Sequence, residues 1–208
     1  KPLELESIKT QVSLFSLIKN KITSSNIEIT TRSIILSDLI KFIRATNNKP
    51  ELFILEKVVK KGHIILDLNL NIDDNGKIKN DYEIRGKANQ AAITLLKQNS
   101  INKINLEFEI YQNKYVFKKI EATFKGLKVF SNKIQINNNT NHYFVEGDLN
   151  NSLKTIENEL LLFFLKNNLK ENIIKEAILS TQNKFSFKLN KKIKVSDINI
   201  KSKIKLKK

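Results

Sequence analysis

The sequence predicts an α+β fold dominated by one curved antiparallel β-sheet, a β-groove or meander, with helices at the N-terminus and a helical insert before the last strands. Three observations carry this. A hydrophobic period of two sets in at Gly62 and runs to about residue 150. Turn signals break it at short intervals, as a run of hairpins requires. A helical period occurs only ahead of it and from about Ser152 to Leu179. Residues 1–208 then read as one domain, or a segment of a longer protein, in four stretches: a helix-rich lead-in (1–61), the meander (62–150), a helical insert (151–180) and closing strands (181–208). No Gly/Ser-rich or Pro-rich linker separates them.

In the lead-in, Ile8, Val12, Phe15 and Ile18 recur at helical spacing and predict a first helix. SNIEITTRSIIL reads as a strand. Ser37-Asp38 caps a short helix carrying Leu39, Ile40 and Ile43. Pro50 suits the first position of another helix, ELFILEKVVKK, because its missing N–H would be unbonded there anyway. From Gly62, HIILDLNLNI places Leu66, Leu68, Leu70 and Ile72 on one face and Asp67, Asn69 and Asn71 on the other. Asn75-Gly76, two residues that tolerate positive φ, predicts a tight hairpin turn. The return strand sets Ile78, Tyr82 and Ile84 against Lys77, Lys79, Asp81, Glu83 and Arg85. KINLEFEIY turns at QNK into YVFKKIEATF. Its Ile104, Leu106, Phe108 and Ile110 face one way, as do Ile120, Ala122 and Phe124. LKVFSNKIQI and HYFVEGDL extend the series. Asn151-Ser152 then reads as the cap of a helix with Leu153, Ile156, Leu160 and Phe164 on its apolar stripe, followed by a second pattern around Ile173, Ile174, Ala177 and Ile178. NKFSFKLN, with Phe185, Phe187 and Leu189, and KKIKVSDINIKSKIKL return to strand.

Composition excludes several classes. With 40% apolar and 28% charged residues the chain is no disordered polymer. Without Cys it has no disulfide framework, thiolate metal site or thiol nucleophile. The longest apolar run, LLLFFL at 160–165, falls far short of the ~20 residues that span a bilayer. The formal net charge is +16, and of 37 Lys and Arg only Arg32, Arg44 and Arg85 are arginine. Lys, Asn and Ile belong to AT-rich codons, so much of this charge reflects genome composition. Base and phosphate recognition favours the planar fork of Arg, which is nearly missing. The charge does imply attraction to anionic surfaces, membrane headgroups included. A chain that starts at Lys1, lacks Met and still alternates in DINIKSKIKLKK is expected to be a processed product or an excised piece, with any leader or anchor outside it.

No motif for chemistry emerges, and the chain is expected to be no enzyme and to need no cofactor or metal. Asn71, Asp73, Asn75 and Gly76 mimic the start of a calcium loop, but its ninth and twelfth positions are Lys79 and Tyr82, and the flanks are strands. Neither His63 nor His142 has another His or any Cys nearby in sequence. The five glycines form neither GxGxxG nor a phosphate loop. Asn138-Asn139-Thr140 and Asn150-Asn151-Ser152 match the glycosylation sequon as chance would in an Asn-rich chain. Lys201, Lys203, Lys205 and Lys207 share one face of the last strand, either a solvated edge or an anion contact. Nucleic-acid sheets add exposed aromatics, whereas Phe108, Phe124, Phe185 and Phe187 fall on the apolar face. That face is either an ordinary closed core or an open trough for acyl chains, and periodicity alone does not separate the two.

KGHIILDLNLNIDDNGKIKNDYEIRGKANQAAITLL resembles the strand-turn-strand unit of AsmA-like proteins, relatives of TamB and of the bacterial bridge-like lipid-transport proteins. That unit is likewise a Gly-initiated amphipathic strand, an Asn/Asp-Gly turn and a return strand ending near a second Gly. TTRSIILSDLIKFIRATNNKPELFILEKVVKKG and NKFSFKLNKKIKVSDINIKSKIKL look like further segments of such proteins from AT-rich Gram-negative bacteria. The helical insert departs from an uninterrupted groove. The resemblance implies a periplasmic protein anchored at the inner membrane through a segment outside this chain. Its β-groove would bind phospholipid acyl chains and carry phospholipid toward the outer membrane, with adjoining β-segments of the same protein as its other partners. The groove lining would then be Leu66, Leu68, Leu70, Ile78, Tyr82, Ile84, Ile104, Leu106, Phe108, Ile110, Ile120, Phe124, Phe185 and Phe187. The other class kept open is a basic nucleic-acid-binding or structural interaction domain with a closed core.

Overall fold

The computed structural model describes residues 5–11, 25–46, 50–73, 77–94, 99–157, 176–192 and 194–207. Strands β1 (Leu5–Gln11) and β2 (Ser25–Thr31) pair antiparallel. Ile8, expected on a helix, therefore sits in a ladder opposite Ile29. At Ile8 the ladder satisfies the backbone, and tertiary pairing overrides the local period. Val12, Phe15 and Ile18 lie outside the described residues.

After the short β3 (Ile34–Ile35), helix α1 (Leu36–Thr46) carries Asp38 in its first turn and Arg44 in its last, both matched to the helix dipole. Helix α2 (Pro50–Val58) starts at the proline as expected and stops at Val58, because Val59 already pairs with Ile93. Arg44 is ion-paired with Glu56 and joins the two helices. The other elements among the described residues are strands: β4 (Val59–Ile72), β5 (Glu83–Thr94), β6 (Ser100–Tyr111), β7 (Lys114–Phe124), β8 (Leu127–Asn138), β9 (His142–Glu157), β10 (Glu176–Asn190) and β11 (Val195–Lys207). All belong to one antiparallel sheet in the order β1-β2-β4-β5-β6-β7-β8-β9-β10-β11, with β3 beside β4. The sheet is open and curved, with β1 and β11 at its edges. Asn75-Gly76 lies outside the described residues, but its flanks close as a hairpin. Asp73 N–H donates to the Lys77 carbonyl at 2.8 Å, and Asp73 Oδ1 accepts from Lys77 N–H at 2.8 Å.

The expected helix at Asn151-Ser152 is corrected at both ends: residues up to Glu157 extend β9, and β10 begins at Glu176. Residues 158–175, with Leu160, Phe164, Ile173 and Ile174, lie outside the described residues. The amide side chain of Asn151 has a different task from capping a helix. Its Oδ1 accepts from the backbone N–H of Thr181 at 3.0 Å and from Thr181 Oγ1 at 2.6 Å. Ile156 is buried against Leu127, with Val129 and Leu179 beside them.

Asn151 belongs to a larger pattern. The register slips once or more in β4 (59–63), β5 (88–93), β6 (102–107), β7 (118–121), β8 (130–134) and between β9 and β10 at Leu179. Gln90, Lys103 and Lys119 take positive φ of 51°, 52° and 50° at these slips. The irregularities neighbour one another from strand to strand and form a transverse seam of β-bulges, which bends strands and raises twist. Side chains plug the amides that the bulges leave unpaired. Asn105 Oδ1 accepts from Gln90 N–H at 2.9 Å. Asp148 Oδ1 accepts from the N–H groups of Asn132 and Lys133 at 3.1 and 3.0 Å.

Candidate functional site: the apolar face of the sheet

Directly opposed residues of a ladder share a face, so the register reads off the lining. One row runs Ile8, Ile29, Leu68, Ile84, Ile110, Tyr115, Ile136, Val145, Phe187 across nine strands. The next runs Leu66, Gly86, Phe108, Phe117, Ile134, Gly147, Phe185, Ile200. Both glycines in it are needed for space. A Cβ on Gly86 would lie 2.5 Å from Phe108 Cζ, and one on Gly147 would lie 2.7 Å from the Lys133 carbonyl oxygen and 3.0 Å from Ile134 Cγ1. The Phe108 ring thus lies across the gap left by Gly86.

Of the remaining expected lining residues, Leu70 pairs with Ile27, Leu106 with Ala88, Ile104 with Ala91, Ile120 with Ser131, and Phe124 with Ile101 and Leu127. Tyr82 is half-buried just ahead of β5. Ile78 forms a single bridge with Ile72 and is 57% exposed. Sequence alternation missed Tyr115, Phe117, Ile134, Ile136 and Val145. The bulge at Lys119 shifts the phase of β7, so Tyr115 and Phe117 share a face with Ile120 and Ala122. The signal was present as a break in alternation, in which apolar residues at 115 and 117 give way to 120, 122 and 124 across Lys118-Lys119.

Among the described residues the face is covered over β4 to β6 and exposed toward both edge strands, where Ile8 of β1 is 57% exposed. Leu39 of α1 and Ile34 pack with Ile64, Leu66 and Phe108. Leu36 also reaches the cluster of Ala91, Ile104 and Ala122. Phe108 is 7% exposed there. Toward β10 and β11 the described residues give no such cover: Phe185 and Phe187 stack with centroids 6.0 Å apart and are half-buried, while Ile198 and Ile200 are 63% and 62% exposed. Among the described residues the buried apolar side chains cluster around Leu66 and Phe108, around Ala91 and Ile104, and at Leu127 and Ile156.

The opposite face is mostly polar and charged, with Val116 and Ile65 among its apolar exceptions. Asn26 Nδ2 donates to Asn69 Oδ1 at 2.5 Å, and Thr30 Oγ1 to Asp67 Oδ1 at 2.9 Å. Hydrogen bonds from Lys119 and Lys87 hold the Glu107 carboxyl below its ordinary range, and Lys118 does the same for Glu109. Burial pushes the Asp148 carboxyl up, but the amides of Lys133 and Asn132, with the side chains of Asn150 and Ser131, outweigh it and hold it below the ordinary value. Among the described residues no three His, Asp or Glu side chains converge, and His142 contacts only the Asn139 amide at 3.2 Å among its side-chain hydrogen bonds. Compared with known proteins, the chain matches no family model, no curated protein and no solved structure.

Proposed function

We propose that this chain is a segment of an AsmA-like, TamB-like periplasmic protein, held at the inner membrane by a segment outside it. Its apolar sheet face would bind phospholipid acyl chains and support phospholipid transport between inner and outer membrane, and so outer-membrane homeostasis. The observation that carries this reading is the pair of apolar rows crossing the sheet, covered by α1 over β4 to β6 and, among the described residues, half-buried or exposed toward β10 and β11. An acyl chain laid along such a face gains about 0.8 kcal/mol per buried CH₂, while the polar face stays wet. The task breaks no bond and needs no cofactor.

The test places a charge in each part. Phe187→Asp, in the open part, is expected to abolish lipid co-purification, measured by mass spectrometry of organic extracts, while circular dichroism stays unchanged, because the carboxylate keeps water. Phe108→Asp, beneath α1, buries an unpaired charge and is expected to unfold the chain. Unfolding by Phe187→Asp as well would identify a closed core. A folded Phe187→Asp protein that retains its lipid would also defeat the proposal.

A further inference from the structure

The polar face changes character across the sheet. On β5 to β7 its cations meet anions: Arg85–Glu83 at 2.8 Å, Lys87–Glu107 at 3.2 Å, Lys118–Glu109 at 2.6 Å and Lys119–Glu107 at 3.1 Å. From Glu176 to Lys207 nine lysines stand against only Glu176 and Asp197, and Asp197 is taken by Lys188 at 2.8 Å. The register puts Lys184 directly opposite Lys201, and sets Lys203, Lys205 and Lys207 opposite Gln182, Ser180 and Ile178. All five lysines are exposed, and among the described residues none has a carboxylate within ion-pair distance. Lys184 faces Asp148 of β9 on its other side, but like charges facing each other weaken a ladder, and the pairing of Lys184 with Lys201 is of that kind. Beside them a shallow groove of about 470 Å³ is lined by Lys133, Lys184, Lys201, Ser186 and Asn199, together with Gln135, Glu146 and Asp148. The oxygens of Asp148 are committed to the β8 bulge.

We infer that the polar face of β10 and β11 docks on an anionic lipid bilayer surface. Four lysines alternating along one strand form a straight row about 20 Å long. They are point charges on flexible stems, suited to a diffuse headgroup layer. Nucleic acid fits less well: no arginine lies in β10 or β11, and their aromatics, Phe185 and Phe187, belong to the apolar row of the other face. The inference does not rest on lipid in the trough, since this docking would hold over a sealed core.

The experiment is flotation of the chain with phosphatidylcholine vesicles, with and without phosphatidylglycerol, at rising salt. Binding is expected only with phosphatidylglycerol and is expected to fall as salt screens it. Each lysine near such a surface contributes about fivefold in affinity. The combined Lys201→Gln, Lys203→Gln, Lys205→Gln and Lys207→Gln variant is therefore expected to bind at least about a hundredfold more weakly. A control removing Lys9, Lys41, Lys60 and Lys77 makes the same change in net charge and is expected to retain most binding. Circular dichroism checks that both variants fold. Equal loss in the two variants would show a net-charge effect and overturn the inference. Tighter binding to duplex or single-stranded DNA than to the vesicles at the same salt, lost in the first variant, would overturn it in favour of nucleic acid.

Discussion

Asp148 offers the sharpest test of how the sheet keeps its bend. In β8 the slip between Phe130 and Ile134 takes the amides of Asn132 and Lys133 out of the ladder, and the Asp148 carboxylate of β9 receives both. Ser131 Oγ and Asn150 Nδ2 add contacts at 3.3 and 2.5 Å. Hydrogen bonds to a charged acceptor contribute about 1.5–3 kcal/mol each when buried. Asn132 and Lys133 are exposed, so water replaces part of what is lost, and Asp148→Ala is expected to cost about 2 kcal/mol in all. The folded carboxyl lies below the value of the unfolded chain, so the folded state binds fewer protons. This contribution is complete above the ordinary Asp range near 4 and fades as pH falls through the lower folded value. Urea unfolding of wild type and variant should therefore differ at neutral pH and converge in acid. Amide exchange at Asn132 and Lys133 should speed up in the variant. A stability gap that persists unchanged in acid, or no gap at neutral pH, would refute the assignment of this carboxylate as the plug of the bulge.

Two further substitutions probe the same framework. Gly86→Ala puts a Cβ 2.5 Å from both the Ile65 carbonyl oxygen and Phe108 Cζ, and since the carbonyl belongs to the backbone the expected loss is about 1–3 kcal/mol in urea unfolding. Part of it should return when Phe108→Leu removes the ring. Asn151→Ala removes the buried amide that the half-buried N–H of Thr181 donates to and is expected to cost about 1–3 kcal/mol, whereas a neutral result would mean that the ladder there closes without the plug.

The strands from β4 to β8 were legible because their residues obey two rules at once, alternation and turn chemistry. Leu66 and Leu68 alternate with Asp67 and Asn69, and Gln112-Asn113 sits where β6 turns into β7. Helix α1 was legible from Ser37-Asp38, but its seat over Ala91, Ile104 and Phe108 was not, since no local pattern says which strands a helix will cover. Two expected helices were placed too wide at their described ends for one shared reason, while residues 12–24 and 158–175 lie outside the described residues. Ile8 and Ile156 lie at helical spacing from other apolar residues, yet each has a strand partner far away in sequence, Ile29 and Ala177, and long-range pairing decided.

The misread lining and the misread Asn151 trace to one physical device. A bulge adds a residue, so the apolar phase slips by one: from 88 to 91 in β5, from 101 to 104 in β6, from 117 to 120 in β7 and from 129 to 134 in β8. A strict period of two loses the face at each slip and assigns Tyr115 and Phe117 to water. Each slip also leaves backbone amides without a ladder partner, and a short side chain with an acceptor oxygen is the local remedy. Asn105, Asp148 and Asn151 supply it from the neighbouring strand. The polar residues that look least suited to strand interiors are therefore what lets the strands bend without exposing unbonded amides to the apolar face. An Asn in a strand, beside a three- or five-residue gap in its neighbour's apolar spacing, marks a curved sheet rather than a helix start.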